Sequence, residues 1–313
     1  MPAVTRSVAP QDRTRCRSSP RGHTDDAAAG GSLPVTSLAL GLVLLAALMH
    51  ASWNALVKAQ TDRALVLAAV SAMHALTGVT LVATMPWPAA AAWPSILIST
   101  TVHYGYYVLL FRSYRHGDLS QVYPISRGMA PAVVAISAWA ILGESLSPLG
   151  WTGLALVSSG IGLLALQRGA VRAPPGTLGL ALTLGLCIAC YSVADGIGVR
   201  ASGSPLGYIG WLFLLEAPVP LAIALNRLRN RGPFSAAPLV AGLAGGIFAV
   251  SAYGIVLWVK TFTPLGAVSA VRESSVIIAA LIGVLLFGER PWKIRLFAAA
   301  VVAAGVTALA QSG

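Results

Sequence analysis

Ten runs of roughly twenty apolar residues each follow one another along almost the whole chain. They cover approximately 35–57, 64–84, 94–114, 119–142, 148–167, 176–199, 205–226, 236–258, 263–287 and 291–311. A run of that length and polarity crosses a bilayer as an α-helix, because in hydrocarbon the backbone must satisfy its own N–H and C=O groups. The connections are short and rich in Pro and Gly, such as RGAVRAPPG and NRGPFSAAP, and leave no room for a soluble domain. The expected fold class is therefore an all-α integral membrane protein with ten transmembrane helices.

Composition agrees. Of 313 residues, 56% are hydrophobic and 10% charged, where a soluble domain carries about 25% charge. The net charge of +11 does not point to nucleic acid. Five of the 21 basic residues (Arg6, Arg13, Arg15, Arg17, Arg21) lie in a polar N-terminal tail, residues 1–33, expected to be disordered. Most others sit in loops, where basic residues orient a membrane protein. Cys187 and Cys190 form a C-x-x-C inside an apolar run and read as small packing residues. No His/Cys cluster with metal spacing, no Walker loop and no nucleophile–base pair is visible. The expectation is a non-enzyme without cofactor or metal.

The chain also repeats itself. A shift of 145 residues places Arg115 on Lys260, Arg127 on Arg272, Gly143-Glu144 on Gly288-Glu289 and Gly160 on Gly305. Shifts of 141 to 142 place His50 on Tyr191, Asn54 on Asp195 and His74 on Glu216. Each copy then holds five helices, over 34–168 and 175–311. An odd number of spans sends the second copy into the membrane upside down. This is the inverted repeat of secondary transporters, whose solute site lies near the midplane between the copies.

Tandem five-helix units carrying LGESLSPLGWTGLALVSSGIGLLAL and FGERPWKIRLFAAAVVAAGVTALA resemble the EamA-type branch of the drug/metabolite transporter superfamily, over about residues 35–311. The second copy departs where Arg295 replaces Gly150. The resemblance implies ten helices and movement of small organic solutes, often outward, across the cell's inner membrane. It fixes no substrate, since members handle amino acids, nucleosides, sugars and cationic drugs.

Ionisable groups inside apolar runs narrow the chemistry. Each costs roughly 2.5–3.5 kcal/mol at a helix centre, so each faces a partner or water. Arg127 precedes Pro131 by four residues, which removes the helical partner of its own carbonyl. Exposed backbone polarity beside an arginine suits a cavity wall. Tyr123 shares its helix face. A guanidinium there holds a carboxylate or phosphate in a two-point grip; the alternative is an arginine reaching the interface from a helix start. Arg272 is the equivalent position, either as a second solute contact or as half of an ion pair with Glu273. Glu216 and His74 sit mid-run and are candidate proton carriers. Asp195 and His50 are weaker candidates because they lie nearer helix ends. Trp53, Asn54 and Tyr107 are candidate cavity-lining groups. Glu144 and Glu289 read as helix terminators bonding turn N–H groups.

Loops after odd-numbered runs hold 12 basic residues against 2 after even-numbered runs, which places the odd loops in the cytoplasm. The basic tail argues for the opposite orientation. The expected function is a secondary transporter, an exporter of small anionic or zwitterionic metabolites such as amino acids, working by alternating access with protons as the candidate coupling ion. Its partners are the solute and the lipid bilayer. An exporter of cationic or neutral drugs, attracted by Glu216 and Asp195, and a non-transporting membrane protein are the alternatives.

Overall fold

The computed structural model describes residues 35–116, 119–167, 174–231, 236–288 and 292–312. Among them are eleven α-helices and one 3-10 turn, with no strand: α1 (Ser37–Ala59), α2 (Arg63–Thr84), the turn Ala90–Ala92, α3 (Trp93–His116), α4 (Leu119–Leu142), α5 (Pro148–Gln167), α6 (Pro175–Ala201), α7 (Pro205–Glu216), α8 (Pro218–Arg231), α9 (Ala236–Val259), α10 (Leu265–Phe287) and α11 (Trp292–Ala310). By length and composition eight of these can cross a membrane, all but α3, α7 and α8. The N-terminal tail 1–33, Glu289 and the Tyr123 side chain lie outside the described residues.

Local chemistry sets the helix ends. The side chains of Thr36, Asp62 and Ser204 accept from the first-turn N–H groups of Ala39, Leu65 and Gly207. The glycines of the two Gly-Glu motifs close α4 and α10 in the left-handed region, with φ of 68° at Gly143 and 62° at Gly288. Glycine enters that region at no steric cost.

The seventh apolar run is two helices rather than one. Pro218 and Pro220 have no N–H to give the carbonyls of Leu214 and Glu216. Ala217 turns its N–H to Leu214 O at 3.3 Å instead, and the Tyr104 hydroxyl on α3 donates to the Leu215 carbonyl. The break therefore falls immediately after Glu216.

Contacts between connections show how the helices run. Ser147 Oγ donates to Ser312 O (3.3 Å), Leu265 N to Glu144 Oε2 (2.8 Å), Arg200 Nε to Lys260 O (2.7 Å) and Ala89 N to Ser202 O (2.8 Å). The connections after α2, α4, α6 and α9, and the end of α11, thus gather at one end of the bundle. Between successive members of that set the chain leaves and returns. Helix α3 packs along α6; its 24 residues reach about 36 Å.

Packing carries the sequence duplication into space. Helix α1 rests on α9 and α10, and its counterpart α6 rests on α3 and α4. The pairs α2 with α7, α4 with α10 and α5 with α11 each join equivalent helices of the two copies. Most of each half therefore packs on the other half. The α5–α11 contact is close: a Cβ at Gly305 would stand 2.7 Å from Gly153 O, and one at Gly160 would stand 3.0 Å from Ala298 O. Exchanging the copies converts the first contact into the second. Small residues let membrane helices approach this way.

Gly305→Leu should accordingly lower stability by about 1–3 kcal/mol or more through overpacking. Gly41→Leu, where nothing lies within 4 Å of the added carbon, should be neutral. Thermal midpoints in detergent compare the two directly.

Outward faces are apolar, as at Leu285, Ile141, Trp139 and Phe297. Cys187 and Cys190 are free thiols on the side of α6, the second of them exposed.

Candidate functional site

The ionisable residues of the apolar runs converge on the seam between the halves, in two clusters. The first lies where α4 meets α10. Arg127 donates to Glu273 Oε1 at 2.9 Å, and the pair is almost fully enclosed, with side chains 4% and 1% exposed. Arg272 reaches the same Oε1 at 3.3 Å and is 12% exposed. The duplication therefore brings both equivalent arginines onto one carboxylate oxygen. Two prolines, Pro124 and Pro131, lie inside α4 on either side of Arg127.

From α1, His50 Nε2 faces the other amino group of Arg127 at 2.9 Å. The Trp53 indole N–H points at His50 Nδ1 from 3.2 Å. A neutral imidazole has one acceptor nitrogen, so only one of these contacts is a full hydrogen bond. The shorter, charge-assisted one to Arg127 is the stronger. It places the ring proton on Nδ1 and leaves Trp53 in edge contact with the ring. Asn54 donates to His50 O within its own helix at 2.7 Å.

The second cluster is acidic and lies among α3, α6, α7 and α9. Asp195 is fully buried, and its two oxygens accept from the hydroxyls of Tyr208 (3.0 Å) and Tyr253. Glu216, at the α7–α8 break, stands 3.0 Å from His103 Nδ1. The same nitrogen lies 2.9 Å from Ser99 O, which takes its N–H, while Glu216 Oε1 beside it accepts no hydrogen bond among the described residues. Lys260, just past α9, donates to Ser192 O at 2.9 Å. Burial lowers its pKa to about 8, with the Asp195 carboxylate opposing, so it remains mostly protonated at neutral pH.

Aromatic rings join the two clusters. Tyr191 stacks on His103 with centroids 4.0 Å apart. Tyr253, bonded to Asp195, presents its ring 5.9 Å from the Arg272 guanidinium carbon. Tyr107 lies 6.3 Å from His103. His74 gives a ring nitrogen to Val70 O on its own helix at 3.0 Å and meets Phe213 edge-on.

The arrangement is a dipole. Arg127, Arg272 and Glu273 leave one positive charge on the first cluster. Asp195, Glu216 and Lys260 leave one negative charge on the second when both acids are ionised. Opposite charges joined by aromatic rings match, in chemistry, the two ends of a zwitterion.

Arg127, Arg272, Asp195, Glu216 and His50 thus come from five helices, α4, α10, α6, α7 and α1, into these two joined clusters, while Trp53 and Asn54 serve the His50 turn. Sequence reasoning marked Glu273 as an ion-pair partner of Arg272 and His103 as an ionisable group inside a run, but not Glu273 as the carboxylate shared by both arginines, His103 as the neighbour of Glu216, or Tyr253 as the bridge. Both His103 and Glu273 are ionisable residues inside apolar runs, which is the signal that marks them.

A solved structure described as "Crystal structure of protein" resembles this fold with a TM-score of 0.66 at 17% identity, covering 87% of this chain and 96% of that one. No curated protein gives a match. The profile described as the EamA-like transporter family matches twice, over residues 37–166 and 176–311. These two matches span both helical repeats, and the chain belongs to the EamA-like transporter family.

Proposed function

We propose that the protein is a secondary transporter of a small organic solute carrying an anionic group, preferentially a zwitterion, in the plasma or cell inner membrane. It works by alternating access between two inverted five-helix halves, with ten spans once α3 and the α7–α8 pair are counted. The observation that carries this reading is the meeting of Arg127 and Arg272 on Glu273 at the contact between equivalent helices α4 and α10. Midplane sites between repeats are where such transporters hold their solutes. The negative pole at Asp195 and Glu216 favours a zwitterion over a simple anion. Glu216 and His103 form the candidate proton-carrying pair, since their contact changes strength with the charge state of either partner.

Thermal stabilisation of the purified protein tests the charge class, because a ligand of the folded state raises its apparent stability. Against a panel of anionic, zwitterionic, neutral and cationic metabolites, zwitterions should raise the midpoint most, and Arg127→Gln should abolish the response. The acidic cluster with its tyrosine walls favours a second reading, an exporter of cationic drugs. Stabilisation by cations alone, equal in Arg127→Gln, would establish that second reading and refute the first. Solute flux in liposomes containing only this protein separates both from a non-transporting role.

A further inference from the structure

We propose that Glu273 is the resident counter-ion of the solute site, and that the carboxylate of an incoming solute takes its place on Arg272. The inference rests on the transporter reading above and adds how the empty site is kept neutral and what a solute must displace.

Both guanidinium contacts fall on a single oxygen, Oε1 of Glu273. The other oxygen, Oε2, is buried and has no hydrogen-bond partner among the described residues. A buried carboxylate oxygen left without a donor is costly, so this resting arrangement is not the best one the carboxylate can make. A guanidinium presents a fork that grips both oxygens of a carboxylate at once. Here both arginines meet Oε1 alone, and Oε2 has no partner among the described residues.

The two contacts are also unequal. Arg127 is at 2.9 Å with both partners enclosed. Arg272 is at 3.3 Å and the more exposed, with its guanidinium carbon 5.9 Å from the Tyr253 ring centroid. The contact to Arg272 is therefore the one that yields.

The duplication supplies the reason for the imbalance. Arg127 is followed by Gly128, whereas Arg272 is followed by Glu273. Two equivalent bases share one acid because the acid occurs in only one copy. A solute carboxylate would complete the set. It would bind the fork of Arg272, and Glu273 would turn both oxygens to Arg127, which satisfies Oε2. No bond to carbon changes and no proton moves. A solute without an anionic group has nothing to exchange for the Glu273 contact, so the device discriminates against cations and neutral molecules.

Arginine-selective modification by phenylglyoxal, located by mass spectrometry, tests this on the full-length protein in detergent. Arg272 should react slowly in the wild type and about tenfold faster in Glu273→Gln, because only the competent fraction of a site reacts. Acetate, a bare carboxylate probe, should slow the variant's reaction. The neutral pair Arg127→Gln/Glu273→Gln should show the same acceleration and covers a folding defect of the single variant. Equal rates of Arg272 modification in wild type and variants overturn the inference while leaving the transporter reading in place. Absence of flux for every solute in the panel overturns the transporter reading itself, whatever the modification rates.

Discussion

Arg127→Leu is expected to destabilise the protein by about 3–5 kcal/mol, the usual cost of removing one partner from an enclosed ion pair. Glu273 is 1% exposed and would keep only the longer contact to Arg272. Replacing both members, as Arg127→Leu/Glu273→Leu, should recover most of that loss, because two apolar side chains of similar volume need no solvation. Arg272, 12% exposed, can still hydrate in that variant. Denaturation midpoints for the two single variants and the double variant give the coupling energy. Transport should remain absent in the double variant even as stability returns. A single variant that loses under about 1 kcal/mol, with no recovery in the double, would show that the pair is not an enclosed charge pair.

Arg200→Ala is expected to open one end of the bundle. Arg200 donates to Lys260 O (2.7 Å), to Thr263 O (2.9 Å) and to the Glu144 carboxylate. Glu144 in turn accepts from Leu265 N, at the start of α10, at 2.8 Å. This network joins the end of α4 in the first half to α6, α9 and α10 in the second. Under the proposed alternating access the halves part at each end in turn, and these contacts would hold this end shut. A hydrogen bond to a charged group contributes about 1.5–3 kcal/mol, which corresponds to an opening equilibrium shifted about 10- to 150-fold. In a background without native cysteines, Thr263→Cys, buried at 1% exposure, should react with an impermeant maleimide faster by that factor when Arg200→Ala is added. Glu144→Ala should act alike, and Glu144→Gln less. An unchanged labelling rate would mean that other contacts close this end.

Much of the site could be read from the chain because hydrocarbon tolerates so few charges. Arg127, Arg272, Asp195 and Glu216 stood out for that reason, and the 145-residue shift already paired the two arginines. What helical periodicity gives is a face, not a neighbour. Nothing in the spacing shows that His103 reaches Glu216, or that both arginines share Glu273. Asp195 and His50 read as nearer helix ends; Asp195 is so in α6, which runs from Pro175 to Ala201, but His50 lies near the middle of α1, Ser37–Ala59. Glu144 read as bonding the N–H groups of its own turn. It caps α10 instead, and that contact depends on how the halves dock. The break after Glu216 was written in Pro218 and Pro220, yet the apolar run on both sides masked it.

The interleaving of the halves has a consequence for biosynthesis. Helix α1 rests on α9 and α10, which are made after the whole of the first half. The first five helices therefore enter the membrane before Glu273, the carboxylate that Arg127 meets at 2.9 Å, has been made. Until α10 is made, the bilayer and the insertion machinery must shelter a half-protein whose Arg127 lacks the Glu273 carboxylate. The first copy cannot reach its final packing as an independent folding unit.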